Sequence, residues 1–404
     1  MATTVSAAGI LSRVGFTFGL KAYSPMAVVY CKKCCEPSSR PDAQFTKEGV
    51  CLPCTYFEQF DQIDWESRQR ELEEICNWGR DNAKGAYDCI IGVSGGKDSH
   101  RQAFYVRDEL GLRPLLVSVA YPPEQQTERG SYNLANLINH GFDVHMVGPG
   151  PQTSKALMRH SFTKDCNLFK ITELALYAAM PREAIAQGIP LMFLGENPAL
   201  QYGGVNGSLS GDGNQQRKSH TLAGADINPL VETGFKRQNL FWYDYPSEED
   251  FDRGQLRIVY LGFYMHDFNE IMNTEFAIQK GLQVREGVDA EPAETGALNV
   301  AEALDDEFVH INQFLKCLKF GFGKVTQQVS SRIRVGEYSR DEAIELVRNY
   351  DGRCSDRYIK TLCRYLKIEE DDFWKIAEDN RNPDLWQLNN HGEWELRYKV
   401  SLPF

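Results

Sequence analysis

The residue types most able to bind phosphate stand together in SGGKDS, residues 94–99. The apolar run YDCIIGV at 87–93 predicts a strand before them, and residues 100–110 have a helical composition that stops at Gly111. Glycines let backbone N–H groups approach an anion, and a helix start adds unpaired donors. Because a helix dipole contributes only about 0.3–1 kcal/mol, we expect Lys97, the hydroxyls and a metal ion to add more. The spacing therefore predicts a phosphate-binding loop, and the alternative is a turn that binds nothing.

The loop residues have separate predicted roles. Lys97 would neutralise phosphate charge, and Asp98 would ligate magnesium or, alternatively, cap the helix. Four residues are predicted to contact phosphate directly: Ser94, Gly95, Gly96 and Ser99.

A second group is a set of cysteines with the spacing C-x2-C-x16-C-x2-C: Cys31, Cys34, Cys51 and Cys54. Two-residue spacers let both sulfurs of a pair face one ion, and the long loop brings the pairs together into a tetrahedral site. Zinc suits four thiolates, and its binding would supply folding energy of about 10 kcal/mol to a module this small. Cys35 is a further candidate ligand. The alternatives are ordinary buried cysteines or a redox pair.

Strands alternating with helices must position the loop. Three more apolar runs predict strands at 113–121, 142–149 and 190–197. Helical composition marks the segments between and before them: 63–83, 131–141 and 157–189. This alternation predicts an α/β fold with a doubly wound parallel sheet. Ligands of such sheets bind at the carboxyl ends of strands, where both the loop and Glu196 fall.

Composition narrows the class of protein. The net charge of −12 disfavours broad nucleic-acid binding, because phosphate contacts need cations. No apolar run reaches the roughly 18 residues of a membrane span. Scattered cysteines favour the reducing cytoplasm over a disulfide framework. Residues 1–27 are interpreted as an extension, with a targeting segment as the alternative and Met26 as a candidate natural start.

The loop resembles SGGxDS, the pyrophosphate loop of the PP-loop ATP pyrophosphatases, which transfer AMP from ATP to a substrate oxygen. Residues 28–370 resemble the N-acetyl sugar amidotransferase family of lipopolysaccharide and related surface-sugar biosynthesis. Besides the loop and the cysteines, three blocks carry this resemblance: FLGENPALQYGG (193–204), YLGFYMHDFNE (260–270) and LKFGFGKVTQQVSSRIRVGEYSRDEAIELVRNYDG (318–352). One departure is the glycine- and serine-rich stretch 205–220, interpreted as a lid or spacer.

The resemblance implies conversion of a sugar acetamido group into an acetamidino group with ATP, Mg²⁺ and ammonia. It implies catalytic roles for Lys97, Asp98 and Glu196, where Glu196 would ligate magnesium or orient ammonia and is otherwise a polar strand end. Four residues would bind the N-acetylated nucleotide-sugar: Asn197, Lys324, Arg332 and Arg334. Arginines suit a diphosphate or a sugar carboxylate, although a solvated charged surface is the alternative for each. No glutaminase segment is recognisable, and the resemblance implies that a separate glutaminase-like partner supplies ammonia.

The chain is thus predicted to have four parts: an extension at 1–27, a zinc-ribbon-like module at 28–60, the ATP pyrophosphatase core at 61–230, and a helical, substrate-binding region at 231–404. Two other functions stay open. One is a PP-loop enzyme of tRNA thiolation, which would use Cys166, Cys354 or Cys363 for sulfur transfer. The other is an ATP-binding regulatory subunit without catalysis.

Overall fold

The computed structural model describes residues 20–21, 28–201, 210–214 and 226–401. Most of the predicted extension at 1–27, and residues 205–209 and 215–220 of the predicted spacer, lie outside these ranges. Among the described residues, no helix combines the length and the apolar character needed to cross a membrane.

The centre of the fold is a five-stranded, fully parallel sheet with the strand order β5-β4-β3-β6-β7. Two-stranded antiparallel pairs are formed by β1 with β2 and by β8 with β9. In chain order the strands are β1 Leu20–Lys21, β2 Phe45–Thr46, β3 Cys89–Gly92, β4 Pro114–Val119, β5 Val144–Val147, β6 Leu191–Leu194, β7 Arg257–Tyr260, β8 Trp386–Leu388 and β9 Trp394–Leu396.

Helices connect the strands and make up most of the C-terminal region. In chain order they are α1 Leu52–Phe57, α2 Trp65–Asn82, α3 Lys97–Phe104, α4 Glu128–Asn139, α5 Pro151–Asp165, α6 Glu173–Gln187, α7 Pro198–Gln201, α8 Asn228–Glu232, α9 Glu248–Gly254, α10 Glu270–Gln279, α11 Pro292–Thr295, α12 Phe308–Phe320, α13 Lys324–Arg334, α14 Arg340–Tyr350, α15 Asp356–Leu366 and α16 Glu370–Asp379. Short 3-10 turns occur at Phe60–Gln62, Arg237–Tyr243, Leu261–Phe263 and Gly287–Ala290, and a π turn at Tyr105–Glu109 extends α3.

The strand order reverses direction at β3. From β3 the chain moves outward through β4 to β5, then returns to place β6 on the other side of β3. Right-handed crossovers therefore send α3 and α4 to one face of the sheet and α6 to the other. The segments that follow β3 and β6 diverge at this point, which is where open α/β sheets bind ligands.

The cysteine-rich module packs against the C-terminal helices. Cys35 is fully buried, lies in one apolar cluster with residues of α13 and α14, and donates its backbone N–H to Ser330 Oγ at 3.2 Å. Arg340 donates to the carbonyl oxygens of Cys34 (3.1 Å) and Cys31 (3.2 Å). The two ends of the described chain are thus joined beside the sheet.

Two features differ from the sequence prediction. The sheet has a fifth strand, β7, which pairs with β6 although it lies beyond the predicted core boundary at residue 230. The helical stretch predicted at 157–189 is two helices, because Cys166 adopts a left-handed conformation (φ +46°) and ends α5. Asn167 Oδ1 then accepts the backbone N–H groups of Phe169 and Lys170, which fixes the turn.

Candidate functional site

The loop after β3 has a conformation that only glycine allows at one position. Gly95 has φ +82°, and a Cβ atom there would lie 2.9 Å from the backbone nitrogen of Leu134 in α4. Gly96 is the extended residue before α3. Ser99 Oγ accepts the N–H of Ser94 at 3.1 Å, which closes the loop. The backbone is therefore pressed against α4 and cannot be displaced toward it.

A buried histidine fixes the carbonyl of this loop. His100 is fully buried, and burial lowers its pKa, so the imidazole is neutral near pH 7. Its Nδ1 lies 3.0 Å from the Gly96 carbonyl oxygen, and its Nε2 lies 3.1 Å from Asn136 Nδ2. Because the amide nitrogen can only donate to Nε2, Nδ1 carries the hydrogen and donates to the carbonyl. This positioning role was missed in the sequence, where His100 has only helical context.

Two cavities meet at the carboxyl edge of the sheet. The small cavity, about 270 Å³, lies between the ends of β3, β4 and β6 and residues of α6, and it includes Ser94 and Ser99. The large cleft, about 700 Å³, includes Lys97, Asp98, Asn197, Lys324 and Arg334. Three residues line both: Gln102, Gly195 and Glu196. The structure thus places the predicted loop at a junction between two spaces of different size.

Lys97 lies among carboxylates at this junction. Its Nζ is 3.2 Å from Asp98 Oδ2, and its side chain is only 12% exposed. Burial alone would lower the pKa of Lys97, but Asp98, Glu302 and Glu270 raise it above its usual value, so the ammonium stays charged. Asp98 also accepts from Asn273 Nδ2 at 2.8 Å. Asp98 lines the cleft and lies in the first turn of α3, whose N-cap residue is Gly96.

A second lysine faces the same acidic group from α13. Lys324 Nζ lies 2.9 Å from Glu302 Oε1. Burial alone would raise the pKa of Glu302, but Lys324 and Lys97 lower it to about 2. Glu270 is held by Asn299 Nδ2 at 2.7 Å and by Gln328 Nε2 at 3.1 Å. The two lysines are thus bound to fixed carboxylates within the cleft.

Several buried oxygen acceptors on the cleft wall have no hydrogen-bond partner within the described part of the chain: Gln102 Oε1, Glu196 Oε2, Asn197 Oδ1, Asn273 Oδ1 and Glu302 Oε2. Asn197 is 3% exposed, and its Nδ2 donates to the Gly262 carbonyl at 3.4 Å, which leaves Oδ1 to the cleft. Burial, followed by the charge of Asp98, raises the pKa of Glu196. Buried acceptors without donors are costly, so this wall fits a cation or a ligand rich in N–H and O–H groups.

The outer wall of the cleft combines the cysteine-rich module with α13. Phe57 and Phe60 stack with ring centroids 5.5 Å apart, and His266 lies 5.3 Å from Phe60. These three rings line the cleft together with Arg334. Arg332 does not line it: the guanidinium bonds Glu337 (2.9 Å) and Tyr338 (3.0 Å), and it lies 3.9 Å from Glu270. Of the predicted basic residues, Lys324 and Arg334 therefore face the cleft and Arg332 supports its wall.

The four predicted metal-ligating cysteines form one buried cluster. The sulfur atoms of Cys31, Cys34, Cys51 and Cys54 all lie within 4.8 Å of one another, and those of Cys34 and Cys51 are 3.6 Å apart. Backbone N–H groups point at these sulfurs, as Cys51 N does toward Cys31 Sγ at 3.3 Å. Cys35 lies outside this cluster, against α13. The cluster can hold a metal ion.

Several site residues had no signal in the sequence. Glu302, Asn273 and Asp305 come from segments far along the chain and reach the site only through packing of the C-terminal region on the core. The run AEALDDEF at 301–308 is acidic, but nothing in its pattern indicates a ligand site. Glu270 ends the block YLGFYMHDFNE, although no role follows from that block alone.

Comparison with known proteins gives a match to a family model and matches to solved structures. Residues 302–401 match the family model described as LPS biosynthesis protein WbpG-like, C-terminal domain. No curated protein sequence matches the chain. The solved U34-tRNA thiolase NcsA from Methanococcus maripaludis, with its 4Fe-4S cluster, is similar at a TM-score of 0.32 and 12% identity, over 83% of this chain and 89% of that chain. The C-terminal quarter is thus similar to a domain of lipopolysaccharide biosynthesis proteins.

Proposed function

We propose that the protein is an ATP-dependent amidotransferase of surface-polysaccharide biosynthesis. It would convert the acetamido group of an N-acetylated nucleotide-sugar into an acetamidino group and release AMP and pyrophosphate. The similarity of residues 302–401 to an LPS biosynthesis domain supports the pathway class. The loop at 94–99 supports the use of a nucleotide triphosphate.

One observation carries the proposal, namely the junction of the two cavities beside the loop. The small cavity, about 270 Å³, lies near the lower limit for ligand pockets, and the large cleft, about 700 Å³, lies well within their range. A nucleotide with its base in the small cavity would bring its phosphates past Ser94 and Ser99 toward Lys97. A sugar in the cleft would then meet the phosphates at Glu196, which lines both spaces.

The chemistry follows from the weak electrophilicity of an amide. The acetamido oxygen attacks the α-phosphorus, the bond to the bridging oxygen breaks, and pyrophosphate leaves. Ammonia then adds to the activated carbon, and AMP departs with the former acetamido oxygen, leaving an amidine. The loop N–H groups and Lys97 would hold the pyrophosphate, while the cleft fixes the amide in near-attack geometry.

The residues present fit a magnesium ion. Carboxylates are its preferred protein ligands; Asp98 lines the large cleft, and Glu196, whose Oε2 has no partner among the described residues, lines both cavities. Bound there, magnesium would neutralise charge on the phosphates. The side-chain oxygen Oδ1 of Asn197 would accept a hydrogen bond from the sugar or from ammonia.

The basic residues of α13 would recognise the anionic part of the substrate. Arg334 lies on the cleft wall near its outer rings, and Lys324 lies deeper, beside Glu302. A guanidinium binds a diphosphate or carboxylate through paired hydrogen bonds. Arg332 would act indirectly by holding Glu270.

Zinc is the metal we propose for the cysteine cluster, in a structural role. A tetrahedral zinc ion with bonds of about 2.3 Å holds its sulfurs about 3.8 Å apart. The sulfurs here are all within 4.8 Å of one another. A four-iron cluster spreads its cysteine ligands over four separate irons and needs wider spacing. Zinc would order the module that carries Phe57 and Phe60.

We propose that ammonia comes from a separate glutaminase-like protein and that the enzyme works in the cytoplasm, where nucleotide-sugars are made. The test is incubation of the purified protein with ATP, candidate nucleotide-sugars and ammonium salt. AMP should form, and the sugar should lose about one mass unit because NH replaces O. Formation of ADP, or an unchanged sugar mass across all candidates, would refute the proposal. Full activity with glutamine and no second protein would refute the partner.

A tRNA thiolation enzyme is the competing function, and the cysteines argue against it. Cys166 and Cys363 are buried, burial raises the pKa of each to about 11, and neither lines the large cleft or the small cavity. Burial raises the pKa of Cys354 to about 12. A thiol must be a thiolate to transfer sulfur, so none is suited to the task. Sulfur incorporation into tRNA by the purified protein would favour the tRNA thiolation function over the amidotransferase.

A further inference from the structure

One short segment of the C-terminal region reaches both cavities. It covers residues 302–306, between α11 and α12. Glu302 lines the large cleft, and Asp305, three residues later, lines the small cavity. The sequence analysis predicted that the C-terminal region binds the sugar substrate, so the presence of Asp305 in the small cavity is unexpected.

The segment is held firmly against the loop after β4. Thr127 donates its backbone N–H to the Asp305 carbonyl at 3.2 Å and its hydroxyl to the Leu304 carbonyl at 2.5 Å. Gln125 Nε2 donates to Asp306 Oδ2 at 2.5 Å. A Cβ atom at Gly130 would lie 2.5 Å from Asp305 Cα, so α4 and the segment are in close contact. Asp305 therefore has a fixed place at the cavity.

The small cavity has both apolar and polar walls. Val117, Val119 and Phe193 line it, and Tyr121 lies beside Asp305. The Tyr121 hydroxyl donates to the Asp305 carboxylate. The backbone N–H of Asp305 is a second donor to this carboxylate. A carboxylate has about four lone-pair sites, so these two donors leave acceptors for a ligand. Apolar side chains beside the Asp305 carboxylate suit a flat base joined to a group with N–H or O–H donors.

We propose that Asp305 is a nucleotide-recognition residue, whose carboxylate accepts hydrogen bonds from donors of the ATP nucleoside. The donors are the ribose hydroxyls or the amino group of adenine, which offer the same chemistry to a carboxylate. This inference rests on the proposed function, because it takes ATP as the ligand of the small cavity. It makes the C-terminal region a part of the nucleotide site as well as of the sugar site.

The test measures equilibrium binding of ATP and three analogues to the full chain by titration calorimetry. The analogues are 2′-deoxy-ATP, 3′-deoxy-ATP and the triphosphate of purine riboside, which lacks the amino group. The wild type should bind at least one analogue about tenfold to a hundredfold more weakly than ATP. Asp305→Asn should weaken ATP binding to a similar extent and should no longer discriminate against that analogue.

Asp306→Asn is the matched control, because Asp306 is buried beside Asp305 but does not line the cavity. The asparagine keeps a side-chain oxygen that can accept from Gln125, so the segment should stay in place and ATP should bind as in the wild type. Tyr121→Phe keeps the carboxylate and should keep the discrimination. Asp305→Ser replaces the first variant if thermal unfolding shows that Asp305→Asn does not fold.

The outcomes separate this inference from the proposed function. Equal affinity of Asp305→Asn and wild type for ATP would overturn the inference, and so would a wild type that binds all three analogues as tightly as ATP. A wild type that does not bind ATP would overturn the proposed function itself. ATP binding with the predicted discrimination, but with no sugar product, would overturn the amidotransferase and leave the role of Asp305 supported.

Discussion

The substitution Gly95→Ala tests whether the loop after β3 binds phosphate through its backbone. Gly95 has φ +82°, and an added Cβ would lie 2.9 Å from Leu134 N and 3.1 Å from the carbonyl carbon of Asn133. Both are backbone atoms of α4, so no side chain can move aside. Non-bonded carbon atoms prefer about 3.5–4.0 Å, so the loop must shift by roughly 0.5 Å.

The expected effect has two parts. A left-handed backbone costs a residue with a Cβ about 1–2 kcal/mol of stability. The shift of the loop then misaligns its N–H groups, and loss of one hydrogen bond to a charged phosphate costs about 1.5–3 kcal/mol. ATP binding should therefore weaken by about 10- to 150-fold.

Gly141→Ala is the matched control. Gly141 has φ +84°, almost the same as Gly95, but nothing lies within 4 Å of an added Cβ. Both variants should lose stability in thermal unfolding through the conformational cost, and Gly95→Ala should lose more because its Cβ also meets the backbone of α4. Only Gly95→Ala should lose ATP affinity in a binding titration. If the two variants bound ATP equally well, the loop would not be the phosphate site and the reasoning would fail.

Two further predictions concern pH and metal. Burial raises the pKa of Glu173 from 4.5 to about 7; because the folded value is the higher one, its stabilising contribution is complete below pH 4.5 and is lost as the pH rises through about 7. In denaturant titrations, Glu173→Gln should therefore raise the free energy of unfolding by up to about 3 kcal/mol near pH 8 and leave it unchanged near pH 4. An equal increase in the free energy of unfolding at both pH values would contradict this. Cys51→Ser, or chelation of the metal, should raise the KM for the sugar, because the wall that carries Phe57 becomes disordered. ATP binding should stay intact, because no residue of the module lines the small cavity. If sugar binding and ATP binding were lost together, the module would support the whole fold instead. Cys35→Ser is the control for a buried thiol outside the cluster.

The parts of the site that sequence could predict are those set by local order. The turn at Gly95 and the cysteine pairs need only neighbouring residues, so their spacing indicates their geometry. The acceptor at Asn273 and the carboxylate of Asp305 depend on helices and segments that pack against α3 and β4 from far along the chain. No local pattern marks such residues, because their role depends on tertiary packing.

In the fold, too, the elements set by local sequence were the ones that could be predicted. The α/β alternation through β6 was visible as apolar runs between helical segments. The strand β7, RIVY, was missed, although it has four residues like β3, β5 and β6 and three of its residues have strand character. The helix boundary at Cys166 was missed since its cause is the Asn167 side chain, which competes with the helix for backbone N–H groups.

The central claim is that an amide oxygen of a sugar receives the adenylyl group of ATP. The most direct measurement uses a nucleotide-sugar with ¹⁸O in its acetamido group, incubated with the protein, ATP and ammonium. Mass spectrometry of the released AMP should show one ¹⁸O atom for each acetamidino group formed. AMP without the label, or label that stays in the sugar while AMP is released, would contradict the mechanism.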